Sequence, residues 1–430
     1  VLKVLILAYD FSPYVSIGAQ RPESWLQYFS ENNVEATVVT RHWNANTKTA
    51  LDYIKPSENR TISLENKSNN ARIFRVPFTP NLRDKLLLHV GFEKLVLIRK
   101  ALSFILSIGK FYSPLLDETY PIFKQAEELL KTEKFDFIVA TAEPFILFKH
   151  ASKLSQQFST PWVADYRDCW TISPVEKKQH FTESILNKAF RFAEQKYVSN
   201  AAFITTPSPT YQTLLQKIHP LKKVHVVYNG YNIANIEKLN TISPSNDFFE
   251  IAYAGILYPH QQLEMFLEGL KLFLNEVERS KVKVVFYGIA FYDEMKNRIL
   301  NYEPKLKSNI EFTERMPYEE VLQALKKSHI LLLLSRKNAN WLNAKVFDYL
   351  ALNRPILLVE NDKGVLEGIL KNCNTGLFCE NENDVKKQLH FCYQSYFVNK
   401  ELFPTAQNFS FFSRQKQATI FCELLKNYQQ

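Results

Sequence analysis

The stretch VLILAYDFSPYVSIGAQRPESWLQYF, residues 4–29, decides the fold. Its apolar run at 4–7 lacks polar alternation, the pattern of a parallel strand covered on both faces, and Trp25, Leu26 and Phe29 then recur at helical spacing. A loop with a single glycine, Gly18, lies between them. Strand, loop and helix start in that order present free backbone N–H groups and the positive end of a helix dipole. That suits an anion, although the three glycines of a dinucleotide fingerprint are absent.

Working outward, apolar runs at 36–40, 135–141, 162–164, 203–206 and 224–227 alternate with helical patterns. A polar segment rich in Asn and Ser follows at 231–247, and the same grammar restarts with runs at 251–254, 282–287, 310–312, 330–334 and 355–359. The expectation is an α/β protein of two Rossmann-like domains, residues 1–232 and 248–408, facing across a cleft at the carboxyl ends of their sheets, with a C-terminal helix at 409–430 packing back on the first domain. A length of 430 residues, 46% of them hydrophobic, is enough for two cores.

Composition narrows the function classes. The five cysteines, 169, 373, 379, 392 and 422, are scattered and odd in number, which predicts reduced structural thiols and no zinc site. The net charge of +9 has no basic tail or aromatic-studded basic strand to go with it, so nucleic acid is not an expected partner. Phosphorylated ligands and an anionic membrane surface remain, beside an ordinary solvated surface that accounts for most of the lysines. No run reaches the roughly 18–20 apolar residues of a membrane span and no signal-peptide pattern is present, so a cytoplasmic location is expected.

Residues 85–110 break the grammar. As one helix they place Lys85, Arg99, Lys100 and Lys110 on a polar arc and a wide set of leucines, isoleucines, Val90 and Phe104 on the rest. Such a helix either packs in the core or lies in the plane of a membrane, at the inner face of the plasma membrane in this setting.

Two later stretches carry the chemistry. IAYAGILYPHQQLEMFLEGL, residues 251–270, repeats the strand, glycine-bearing loop and helix, so a second helix start aims at the same cleft. In NAKVFDYLALNRPILLV, residues 343–359, Lys345 and Asp348 are three apart at a helix start. There the lysine can neutralise a leaving phosphate and the carboxylate can accept hydrogen bonds from a ribose diol; a surface ion pair between the two is the alternative.

These segments, taken with IGAQR (17–21), PWVADYRDCW (161–170), Asn229-Gly230 and ERMPYEEVLQALKKSHILLLL (314–334), resemble glycosyltransferase family 4 over nearly the whole chain and in the family's order. Those are retaining enzymes of the two-domain GT-B architecture, and the likeness is greatest to bacterial members that build surface polysaccharides. The resemblance implies transfer of a sugar from a nucleotide-diphosphate donor, a UDP-sugar first, to a growing glycan or lipid-linked acceptor, with no metal and no further cofactor. It places Gly18, Gly255, Tyr258, Arg315, Lys345 and Asp348 on the donor, and Arg21 and Arg167 on the acceptor. Asp168 and Lys345 become the catalytic pair. Gly18 is then where backbone meets ligand too closely for a Cβ. Arg21 paired with Glu23 or Glu31, and Arg167 paired with Asp165, are the structural alternatives.

The chain also departs from the pattern. The family carries two glutamates with seven residues between them, and here Asn340 and Asp348 stand in those places. The Arg and Lys that hold phosphates after the Gly255 loop are missing, leaving Lys345, with Arg336 and Lys337 in reserve. Two other functions fit the same architecture: a nucleotide-sugar epimerase, or an inactive nucleotide-sugar-binding scaffold.

Overall fold

The computed structural model describes residues 1–45, 47, 49–67, 70–172, 181–290, 292–338 and 341–429. The chain divides into two compact units, Val1–Asn229 with Gln417–Gln430, and Gly230–Lys416. Each is a mixed α/β unit built on one mainly or wholly parallel sheet.

The first unit holds β1 (Leu2–Ala8), β2 (Val34–Arg41), β3 (Ser63–Asn66), β4 (Arg72–Val76), β5 (Phe137–Ala142), β6 (Trp162–Tyr166), β7 (Phe203–Thr206) and β8 (Val224–Val226). They line up as β3-β4-β2-β1-β5-β6-β7-β8, with only β3 antiparallel. Buried β1 feeds two cores at once: Leu5 and Leu7 point into one and Val4 and Ile6 into the other. This is why the run shows no polar alternation. The second core takes in Trp25 and Phe29 of the helix Ile17–Tyr28, and Phe421, Cys422 and Leu425 of the helix Arg414–Gln429. The Phe421 ring meets Trp25 edge-on, 4.9 Å between centroids.

The second unit orders β9 (Phe249–Ala254), β10 (Val282–Tyr287), β11 (Ile310–Phe312), β12 (Ile330–Leu334), β13 (Ile356–Val359) and β14 (Gly376–Cys379) as β11-β10-β9-β12-β13-β14. In each sheet the chain runs outward from a central strand and then returns to its other side. That reversal falls between β1 and β5 in the first unit and between β9 and β12 in the second. Ligands of such sheets bind outside the carboxyl ends at this switch point.

Residues 85–110 are not one helix. The helix Leu82–Val90 ends at Gly91, whose φ of +77° suits a residue without a Cβ, and a second helix, Val96–Gly109, begins after Leu95. The first buries Leu87, whereas the second buries no residue. Leu97 is 81% exposed and Ile105 56%, so core packing does not account for its apolar face. Among the described residues no helix is long and apolar enough to cross a membrane.

Candidate functional site

In the first unit, the chain ends leaving β1, β5 and β6 bring a set of charges to the switch point. Arg21, placed on the acceptor by resemblance, is 2% exposed. Its Nε and Nη2 donate to Asp165 at 3.0 and 2.6 Å, and Nη1 donates to the Val227 carbonyl at 2.7 Å. Asp165 is fully enclosed and also accepts from the Thr141 and Thr205 hydroxyls, both at 2.7 Å. Arg21 therefore pairs with neither Glu23 nor Glu31, and its hydrogen-bonding capacity is spent on Asp165 of β6, the Val227 carbonyl after β8 and Asn229.

Arg167 is correspondingly not the partner of Asp165. It sits 3.3 Å from Asp10, which follows β1, and donates to the carbonyls of Ala142 and Glu143 at the end of β5, at 2.5 and 2.6 Å. A Cβ on Gly18 would lie 1.7 Å from Arg167 Nη1 and 3.1 Å from Asp10 Oδ2. What the glycine makes room for here is the chain's own guanidinium.

Asp168 is exposed and accepts from the Tyr211 hydroxyl at 3.1 Å. Burial raises the Asp10 carboxyl, against the pull of Arg167. Burial also raises Glu143, helped by the charges of Asp168 and Asp10 and opposed by Arg167 and Lys110. Asp10 and Glu143 thus join Asp168 around one arginine. Sequence reasoning missed both, although each directly follows an apolar run.

In the second unit, Gly255 follows β9 with φ +89°, and a Cβ there would lie 3.7 Å from Lys345 Nζ. Lys345 opens the helix Lys345–Leu352, which is tied to the end of β9 by the Ala254 N–H donating to the Tyr349 hydroxyl at 3.0 Å. The ammonium is enclosed, has no hydrogen-bond partner among the described residues, and lies 3.8 Å from the Tyr253 ring centroid. Burial lowers it to about 7.

Asp348, one turn on, faces elsewhere: the Tyr318 hydroxyl donates to it at 2.5 Å. Burial raises this carboxyl, while Tyr318 and the charge of Arg414 act against the rise. The surface ion pair between Lys345 and Asp348 is not formed, because the lysine bends toward β9 and the aspartate toward the helix Tyr318–Lys327.

The loop after Gly255 is braced. The Tyr258 N–H donates to Gln261 Oε1 at 2.8 Å, and Arg298 donates to the carbonyls of Tyr258 and Gln261 at 3.1 and 2.8 Å. The Tyr258 and His260 rings each lie 4.9 Å from Trp341. His260 Nε2 is enclosed with no partner among the described residues, and burial, with Arg336 and Arg298 nearby, lowers the imidazole. Arg298, His260 and Trp341 were missed as site residues.

Arg315 stands apart. It is exposed beyond the edge strand β11 and hydrogen-bonded to the Tyr292 hydroxyl. Arg336 is half-buried at the end of β12, Lys337 is exposed, and Asn340 lies outside the described residues. The structure thus gathers Gly255, Tyr258 and Lys345 at one switch point and Gly18, Arg167 and Asp168 at the other. It sets Asp348 a turn away and leaves Arg315 at the sheet edge.

Two family models match consecutive segments of the chain: "Glycosyltransferase Family 4" over residues 78–235 and "Glycosyl transferases group 1" over residues 236–390. Among solved structures, a glycosyltransferase from Rickettsia africae ESF-5 superposes with a TM-score of 0.61 at 11% identity, over 100% of this chain and 99% of that one. A sucrose-phosphate synthase from Thermosynechococcus elongatus gives 0.57 at 13%, over 100% and 96%. The Anabaena protein HepE in complex with UDP gives 0.55 at 12%, over 99% and 97%. At these identities the likeness is one of fold. No curated protein matches the chain.

Proposed function

The chain belongs to the glycosyltransferases of Family 4 and group 1, and on that premise we propose that it moves a sugar from a nucleotide-diphosphate donor to a growing glycan or lipid-linked acceptor in bacterial surface-polysaccharide synthesis. One observation carries the donor half: an enclosed lysine ammonium with no counter-ion among the described residues, beside a glycine at the switch point of a parallel sheet. An isolated buried cation is costly, and a diphosphate placed there removes the cost. UDP is the first nucleotide to try, because the Anabaena neighbour is in complex with it.

In the transfer, the bond between the sugar's anomeric carbon and the phosphate oxygen breaks and the acceptor hydroxyl oxygen takes its place. The hydroxyl proton passes to the departing phosphate, on the same face of the sugar, so the configuration is retained. Lys345 offsets the charge that develops on the leaving oxygen, a preorganised contribution that requires no divalent metal. Asp348 receives the ribose diol, and Asp168 the acceptor hydroxyl.

The exposed apolar side chains of the helix Val96–Gly109, with Arg99 and Lys100 among them, support contact with an anionic membrane face. Incubation with a panel of nucleotide sugars tests the reading. The expected result is thermal stabilisation by UDP that rises with the logarithm of its concentration, about 2.7 kcal/mol at a hundredfold excess over Kd, with slow release of UDP from one UDP-sugar. An epimerised sugar would move the assignment to an epimerase, and indifference to every nucleotide would overturn it.

A further inference from the structure

Asp165 in the first unit and Asp348 in the second are both carboxylates near the carboxyl end of a sheet, and they are partnered differently. Both oxygens of Asp165 are taken, by Arg21, Thr141 and Thr205. Asp348 has only Oδ1 taken, by the Tyr318 hydroxyl at 2.5 Å. Its Oδ2 has no hydrogen-bond partner among the described residues and, unlike Lys345 Nζ, is not enclosed. A carboxylate kept only for the frame would have both oxygens satisfied, as Asp165 has.

The open oxygen is held in a fixed direction. Phe347 packs on Phe412 at 5.3 Å between centroids and the Tyr349 hydroxyl accepts from the Ala254 N–H at 3.0 Å, so the backbone on either side of Asp348 is set. Tyr318 opens the helix Tyr318–Lys327, which is anchored by buried Leu322 and Leu325, and its hydroxyl fixes the rotation left to the Asp348 side chain. A charge-assisted O–H···O bond of this length is among the stronger kinds. Burial and the charge of Asp348 hold the phenol well above its ordinary range, against Arg414, so Tyr318 keeps its proton and donates at neutral pH. The carboxylate therefore meets a ligand with one oxygen rather than two.

We propose that Tyr318 is a positioning residue that sets nucleoside specificity: by occupying Asp348 Oδ1 it leaves Oδ2 as the sole carboxylate acceptor, so that the site reads one of the donor's two ribose hydroxyls and not the other. The inference rests on the donor reading, in which Asp348 receives the ribose diol, and narrows that contact to a single hydroxyl. A carboxylate with both oxygens free accepts from both hydroxyls of a cis diol at once. Here the second hydroxyl would have to displace a donor that a packed helix holds in place.

The test is calorimetric titration of the whole chain with UDP, 2′-deoxy-UDP and 3′-deoxy-UDP. The expected result is one analogue about tenfold or more weaker than UDP, the scale of a hydrogen bond to a charged group, and the other within about twofold of UDP. Tyr318→Phe, shown folded by circular dichroism, should free Oδ1 and bring the two analogues within about twofold of each other. A tyrosine with a merely structural role would move all three nucleotides by one factor and leave the asymmetry as it was. Two analogues equally weak, or both as tight as UDP, overturn the inference on the unmodified chain alone, and so does an asymmetry that survives in folded Tyr318→Phe. Failure of UDP itself to bind overturns the donor reading and this inference with it, whereas UDP bound without asymmetry overturns this inference only.

Discussion

At the carboxyl end of the first sheet, Arg21 is held by Asp165 and Arg167 by Asp10; at the carboxyl end of the second, Lys345 Nζ and His260 Nε2 are enclosed with no partner among the described residues. The same location in two similar sheets treats charge in opposite ways. A buried charge that is neutralised from within serves the frame, because removing its partner leaves an uncompensated ion. One left unneutralised is stable only at a cost, and it keeps its capacity for a ligand. The contrast assigns Arg21 and Asp165 to the scaffold and Lys345 to binding.

The largest effect should come from breaking the paired side. Asp165→Ala strands Arg21 in a dry site, and the expected loss is about 3–5 kcal/mol in urea unfolding. A loss under about 1 kcal/mol would mean that the pair is not the staple described here.

On the unpaired side the sign for folding should differ. Lys345→Met removes a desolvated charge and should leave unfolding stability equal or higher. Lys345→Met and Asp348→Asn should each weaken nucleotide binding by about 1.5–3 kcal/mol, the range for hydrogen bonds to charged groups, in calorimetric titration. Unchanged affinity in both would return the two residues to structural duty.

Smaller effects follow from Gly18 and from metal. Gly18→Ala must push Arg167 off Asp10, and an acceptor-dependent rate should fall about tenfold, about 1.4 kcal/mol in the barrier, while UDP affinity holds. An acceptor-dependent rate equal to that of the unmodified chain would show that the Arg167 position does not matter to acceptor use. Excess chelator should change transfer not at all, and abolition followed by rescue with magnesium or manganese would contradict the role given to Lys345.

Much of the fold was legible because doubly wound strands are continuous apolar runs, and β1, β9 and β12 stand out on that ground alone. The strands missed are those without such runs. β3 and β4 form a half-exposed antiparallel edge, and β14 is four residues long and begins with Gly376. The break at Gly91 was hidden because apolar residues continue at helical spacing on both sides of it. In the site, the Lys345 and Asp348 motif was readable from local spacing. Charge pairing was not: Arg21 and Asp165 are 144 positions apart, Arg167 and Asp10 157, and strand order alone brings them together. The same order makes Asp10 and Glu143 neighbours of Asp168.

Lys345, about half protonated at neutral pH and largely uncharged by pH 8, awaits the donor's diphosphate. Its ordinary value near 10.5 is lowered to about 7 by burial, so between those values the unfolded chain holds a proton that the folded chain lacks. Stability should therefore rise as pH increases from about 7 toward 10.5, and this slope should disappear in Lys345→Met. Nucleotide binding should run the other way and weaken over the same range, because the diphosphate must bring the proton back. Calorimetric titration of UDP at pH 8, repeated in buffers of different ionisation enthalpy, measures that proton directly. Uptake approaching one proton per UDP bound, absent in Lys345→Met, is the expected result. Tight UDP binding with no proton uptake, equal in both proteins, would contradict it.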